Sequence, residues 1–217
     1  MPNPFDSIIN FIASKVTNSH TKPQGPYALA QTRITQTPHI IARGGFGQNN
    51  IAGVFQSNSN PNKAARSYRE DIPGDLYPQD AGYILTPDYQ DPDYNREVIT
   101  HESMHALLDR LGVGTLFNKR KDISERVNPN ISPSIKAHIK KTQPFGFSPQ
   151  GVTTHEGLAY GIEDPTANHD AMIALADVLF ENKDLKNLET FGKLISHSIA
   201  GTKIKARKKL ESSSNNK

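Results

Sequence analysis

Apolar positions along the chain follow two rhythms, and the change comes near residue 93. Upstream, short β-type runs stand between turn-forming Pro, Gly and Asn residues, which predicts strands over residues 27–34, 39–42, 51–56 and 82–86. A polar stretch, 57–80, separates the last two and is long enough to be a functional flap. Ahead of the strands, Ile8, Ile9, Phe11, Ile12 and Val16 keep helical spacing and predict a short amphipathic helix.

Downstream the period is helical. Asn95 is placed to cap a helix running to about Leu111, with Gly112 to end it. A second helix is predicted to open near Ser132, with Pro133 in its first position and Ile135 and Ile139 on one face. Residues 144–151 read as a loop, and a third helix begins near Thr153 or Thr154. A fourth covers 167–181. A fifth covers 185–200, with Leu185, Leu188, Phe191, Leu194, Ile195 and Ile199 in register and Gly201 as its stop. The outline is an α+β fold, a small twisted sheet followed by a mainly helical half. It forms one domain over residues 1–202, sheet-rich over 20–90 and helical over 93–200.

Charge changes this picture at the C-terminus only. The formal charge is +3. Residues 201–217 carry Lys203, Lys205, Arg207, Lys208, Lys209 and Lys217 against Glu211, a net +5 that leaves about −2 for the rest. The basic character therefore belongs to a tail, 203–217, predicted to be disordered, and a nucleic-acid footprint over the domain is not expected. A solubilising role is the ordinary reading of such a run, with contact to nucleic acid or an anionic surface as the minority one.

No stretch approaches the roughly 18 apolar residues of a membrane span. The N-terminus lacks an early basic segment and Asn10 breaks its apolar core, so no signal peptide is read there. A cytoplasmic protein is the default expectation; export by a dedicated secretion machine or packaging in a virion would leave the same sequence. Arg43-Gly44-Gly45-Phe46-Gly47 lacks the spacing of a phosphate loop and reads as a flexible turn. Tyr68, Tyr77, Tyr83, Tyr89 and Tyr94 either line a cleft or pack against loops.

Candidate chemistry is concentrated in one helix. The chain has no cysteine, so a metal would be held by His, Asp or Glu, and eight histidines are present. His101-Glu102-Ser103-Met104-His105 is an H-E-x-x-H sequence. Residues four apart stack on one helix face, so His101 and His105 can aim both imidazoles at one ion. Glu102 lies about 100° around the helix and flanks that ion, where it can take a proton from a metal-activated water. Two imidazoles, one carboxylate and an open position suit zinc. With this many His and Glu residues, chance would give the pattern about 0.01 times per chain.

A third His six residues after His105 would make a different ligand set, but that position is Leu111. The next candidate is Thr153-Thr154-His155-Glu156-Gly157-Leu158-Ala159-Tyr160. An H-E-x-x-H helix followed by such a Glu-Gly-Leu-Ala helix resembles the gluzincin metallopeptidases, over about residues 97–110 and 153–164. The resemblance implies a zincin-like fold and Zn2+, with Glu156 as third ligand and Glu102 as general base. It also gives Gly157 the role of letting the two helices come close. His155 competes with Glu156, though neighbours on a helix point about 100° apart and do not both serve one ion. Many gluzincins carry Asp four residues after the ligand Glu, where this chain has Tyr160. Asp109 or Glu163 would then orient a ligand histidine, Asp109 being equally readable as a solvent carboxylate. Tyr160, His169 and His197 are candidates to stabilise an oxyanion.

The expectation is a zinc metallopeptidase acting on peptide or protein substrates, with substrate laid along residues 82–86 or 51–56 as an added strand. Two alternatives stand beside it. One is a non-enzymatic structural or partner-binding protein that retains the fold. The other is a zinc amidase of cell-wall peptides.

Overall fold

The computed structural model describes residues 21–22, 26–37, 39–42, 53–56, 82–87, 92–114, 118–142 and 149–214. The chain divides into two compact units, 1–106 and 107–217, and the division falls inside a continuous helix. The described residues are mainly helical, with one small sheet.

In the first unit, strands β1 (Thr21–Lys22), β2 (His39–Ala42), β3 (Val54–Gln56) and β4 (Tyr83–Pro87) form a sheet in the order β1-β2-β4-β3. β1 and β3 are antiparallel to their neighbours, whereas β2 and β4 run parallel, His39 opposite Ile84. The sheet is therefore mixed. The strands expected over 39–42, 51–56 and 82–86 are present as β2, β3 and β4, the described Gly53 and Gly82 lying just outside β3 and β4. The strand expected over 27–34 is instead helix α1 (Pro26–Thr35). Its buried positions, Ala28, Gln31, Thr32 and Thr35, keep a helical 3–4 spacing. Three of the four are polar, so an apolar count along the sequence misses the period. Pro26 stands at the first helical position, where a missing N–H costs nothing.

His39 is buried in this unit, with its Nε2 2.8 Å from Thr86 Oγ1 across the parallel pair. Burial lowers its pKa to about 3. The sign follows from linkage. The native state keeps His39 neutral while the unfolded chain takes up a proton near pH 6.5, so stability is full above that value and falls as the pH drops towards 3. The loss over that window is up to roughly 4 kcal/mol. His39→Gln keeps a polar partner for Thr86 and removes the titration. Its acid-unfolding midpoint, followed by circular dichroism, is expected at lower pH than that of the parent. An unchanged midpoint would show that His39 does not set acid stability.

Helix α2 (Pro92–Arg110) carries the H-E-x-x-H sequence. It starts at Pro92, so Asn95 lies within it and does not cap it, the proline being suited to the first turn. Its end is as the glycine implies. Gly112 has φ +75°, its N–H donates to Asp109 O (2.9 Å), and Val113 N–H donates to Leu108 O (2.9 Å), a Schellman closure. Met104, Leu107 and Leu108 are fully buried.

The second unit continues with α3 (Lys121–Val127), α4 (Pro133–Thr142), α5 (Pro149–Glu163), α6 (His169–Glu181) and α7 (Leu185–Ser214). α4 and α6 match expectation closely, Pro133 leading α4 and Ser132 Oγ accepting from Ile135 N–H at 3.4 Å. α5 begins several residues before the expected Thr153, led by Pro149. α7 runs past Gly201 to Ser214, where a stop and a disordered tail were expected. Residues 205–211 of that stretch are Lys, Ala, Arg, Leu and Glu, all strong helix formers. The core of this unit includes Ile123, Val127, Leu158, Ile162, Leu175, Leu179, Phe191 and Leu194. Ser198 Oγ donates to Ile162 O at 2.6 Å and joins α7 to the end of α5.

No helix among the described residues is long and apolar enough to cross a membrane. The expected N-terminal helix, the 57–80 flap and the Arg43–Gly47 turn lie outside the described residues, as do Tyr68, Tyr77 and Tyr89.

Candidate metal centre

Helix α2 fixes the first two candidate ligands by its own geometry. His101 and His105 are one turn apart, with ring centroids 4.7 Å apart and planes at 78°. His101 is half-buried and His105 buried. Burial, and then the nearby His101, hold the His105 pKa well below 6.5, so its imidazole is neutral and keeps a lone pair for a metal. Glu102 is buried, 6% exposed.

The helix is held by polar contacts just before the motif. Thr100 Oγ1 donates to Arg96 O (2.8 Å), which leaves the Tyr27 hydroxyl to donate to Thr100 Oγ1 at 2.5 Å. Gln31 Nε2 donates to that hydroxyl in turn (3.3 Å), and Arg96 lies over the Tyr27 ring at 5.6 Å. α1 is thereby tied to the turn of α2 that precedes His101.

On α5, Glu156 and His155 are half-buried. His101, His105 and Glu156 form a group that could hold a metal ion, each offering one ligand atom, and these atoms lie within 4.8 Å of one another. Ligand atoms sharing a tetrahedral ion stand roughly 3.3–3.5 Å apart when each bond is ~2.0–2.2 Å. Two imidazoles and one carboxylate are a donor set that suits a divalent metal ion in type and number. His155 is not in this group.

The other expected residues are placed as follows. Tyr160, one turn past Glu156, is half-buried, and its ring meets His138 edge to face with centroids 4.9 Å apart. The exposed His138 escaped the sequence reading because a lone histidine on a Lys-rich helix carries no motif. Asp109, Glu163 and His197 are half-buried. His169 is 69% exposed, with its Nδ1 3.4 Å from Asp170 Oδ1. Gly157 has Ile131 as its near neighbour: a Cβ there would run into the Ile131 side chain, with two of its carbons at 3.1 Å. Its small size thus serves packing against a buried isoleucine of its own unit.

Gly53 is a further missed residue. It stands immediately before β3, and a Cβ on it would lie 2.6 Å from Val98 Cγ1, 2.9 Å from Glu102 Cγ and 3.0 Å from Glu102 Oε1. A glycine beside a strand can mark close backbone approach, and that was the available signal. β4 lies inside the sheet, between β2 and β3, so it has no edge to offer a substrate strand; β3 is at the edge among the described residues.

No protein-family model matches the chain, and neither curated proteins nor solved structures match it.

Proposed function

We propose that this protein is a zinc-dependent hydrolase of peptide bonds with a zincin-like arrangement, in which His101, His105 and Glu156 hold the ion and Glu102 is the general base. The observation that carries the reading is the H-E-x-x-H helix together with the membership of Glu156 in the same potential ligand group. When bound, the ion supplies Lewis-acid polarisation of the substrate carbonyl and makes water more acidic. Glu102 takes the proton of the attacking water and returns it to the leaving amine, a role that needs a carboxylate flanking the ligands rather than among them. Among the described residues β3 is at the edge of the sheet and its leading Gly53 abuts Glu102, so an extended peptide pairing there would pass near the base. A purely structural metal site has no use for a carboxylate in the position of Glu102, which favours the enzyme over a binding module.

The test is metal content joined to hydrolysis of a peptide library. About one zinc per chain is expected after dialysis, with cleavage that a chelator abolishes and zinc restores. Glu156→Ala is expected to weaken zinc binding strongly, and His155→Ala to leave it within about threefold of the parent, since losing a ligand costs more than losing a neighbour. The reverse order would transfer the third ligand to His155. Zinc bound without cleavage of any peptide would favour the structural reading.

A further inference from the structure

Gly53 does not need to be glycine for its backbone. Among the described glycines the left-handed region is occupied by Gly112, not Gly53, so the demand at position 53 is for space. The atoms that define the space are Val98 Cγ1 and the Cγ and Oε1 of Glu102. Separations of 2.6 and 2.9 Å are closer than a real Cβ tolerates and 3.0 Å is tight, so any side chain here must displace something. Val98 is buried and β-branched, and in a helix such a residue has one strongly preferred χ1. The backbones of β3 and α2 are each held by their own hydrogen bonds. The group that yields is the unbranched side chain of Glu102.

We propose that Gly53 is a positioning residue for Glu102: the absence of a side chain before β3 leaves the room in which the Glu102 carboxylate rests. The proposal rests on the metallopeptidase reading for its catalytic consequence, although the steric relation itself does not. Alanine at position 53 turns Glu102 away from its place, the three atoms nearest its Cβ all belonging to Val98 and Glu102.

The experiment uses the full chain loaded with zinc, comparing the parent, Gly53→Ala, Glu102→Gln and the double variant. For Gly53→Ala, zinc content is expected to stay at the parental level. The kcat for a peptide that the parent cleaves is expected to fall roughly 10–100-fold, as for a displaced catalytic group, with KM within about twofold. In the Glu102→Gln background the same change is expected to cost less than about twofold, because the group it acts through is already disabled. A second readout does not depend on turnover. With glutamate 13C-labelled at its carboxyl, the resonance of Glu102, assigned by its loss in Glu102→Gln, is expected to move in Gly53→Ala. Should Gly53→Ala not fold, Gly53→Ala combined with Val98→Ala removes the 2.6 Å conflict, keeps the one with Glu102, and carries the same comparison. Unchanged kcat with an unmoved Glu102 resonance overturns the proposal, as does a full additive loss in the Glu102→Gln background. If the parent cleaves no peptide, the metallopeptidase reading fails, and the carboxyl resonance alone decides: moved, it supports the positioning role; unmoved, it overturns it.

Discussion

Glutamine at position 102 is expected to lower turnover by ~10²–10⁴-fold, the range for a positioned general base, while leaving zinc content at the parental level. The side chain it replaces is buried, 6% exposed, and lies outside the group His101, His105 and Glu156. Glutamine has nearly the same shape, so neither packing nor the ligand set changes. The amide cannot accept the proton of the attacking water, and that is the difference being measured. Steady-state kinetics with zinc quantified in the same samples separates the outcomes. If kcat and kcat/KM fall together with zinc retained, an interaction made in the transition state has been removed. If zinc is lost, Glu102 is a ligand or supports one, and its role is misassigned. If turnover persists with zinc bound, the observed hydrolysis does not use this helix.

The candidate site was legible in the sequence to the extent that it is helical. The i, i+4 spacing of His101 and His105 survives in the structure because the flanking Ile99, Met104, Leu107 and Leu108 are buried and Gly112 closes the helix. Long apolar periods are readable in this way. α6 and the first part of α7 were readable for the same reason. α1 was not, because its inward face is Ala28, Gln31, Thr32 and Thr35, and the polarity that hides its period is satisfied locally, Thr35 Oγ1 donating to Gln31 O at 2.8 Å. α3 was not, because two buried apolar residues, Ile123 and Val127, sit among charges too short a distance apart to establish a rhythm. The persistence of α7 beyond Gly201 shows propensity outweighing one glycine, whose cost of ~1 kcal/mol is spread against a run of good helix formers. Gly53 and the two edges of the sheet depend on contacts and strand order across long sequence separations. A glycine in a predicted strand hints at a close approach but does not say to what, and spacing along the chain carries no trace of strand order.

Removal of both imidazoles has the other large expected effect. In His101→Ala/His105→Ala, zinc affinity is expected to fall by more than ~10²-fold, because loss of a mere orienting partner of a ligand already costs roughly 10–100-fold and this variant removes two of the three proposed donors. Folding needs separating from binding, since His105 is buried and its truncation leaves a cavity. Zinc itself provides the control. A ligand that binds only the native state stabilises it by mass action, ~2.7 kcal/mol at a free concentration of 100 Kd. The parent is therefore expected to unfold at a higher temperature with zinc than without, and the double variant to unfold at one temperature in both conditions, whatever its own stability. Competition titration with a chromophoric chelator gives the affinities directly. A variant that keeps a zinc-dependent rise in unfolding temperature and a near-parental affinity would place the metal on other residues, and with it the whole catalytic assignment. Loss of the rise, with the zinc-free unfolding profile still cooperative, would tie the ion to the imidazoles of helix α2.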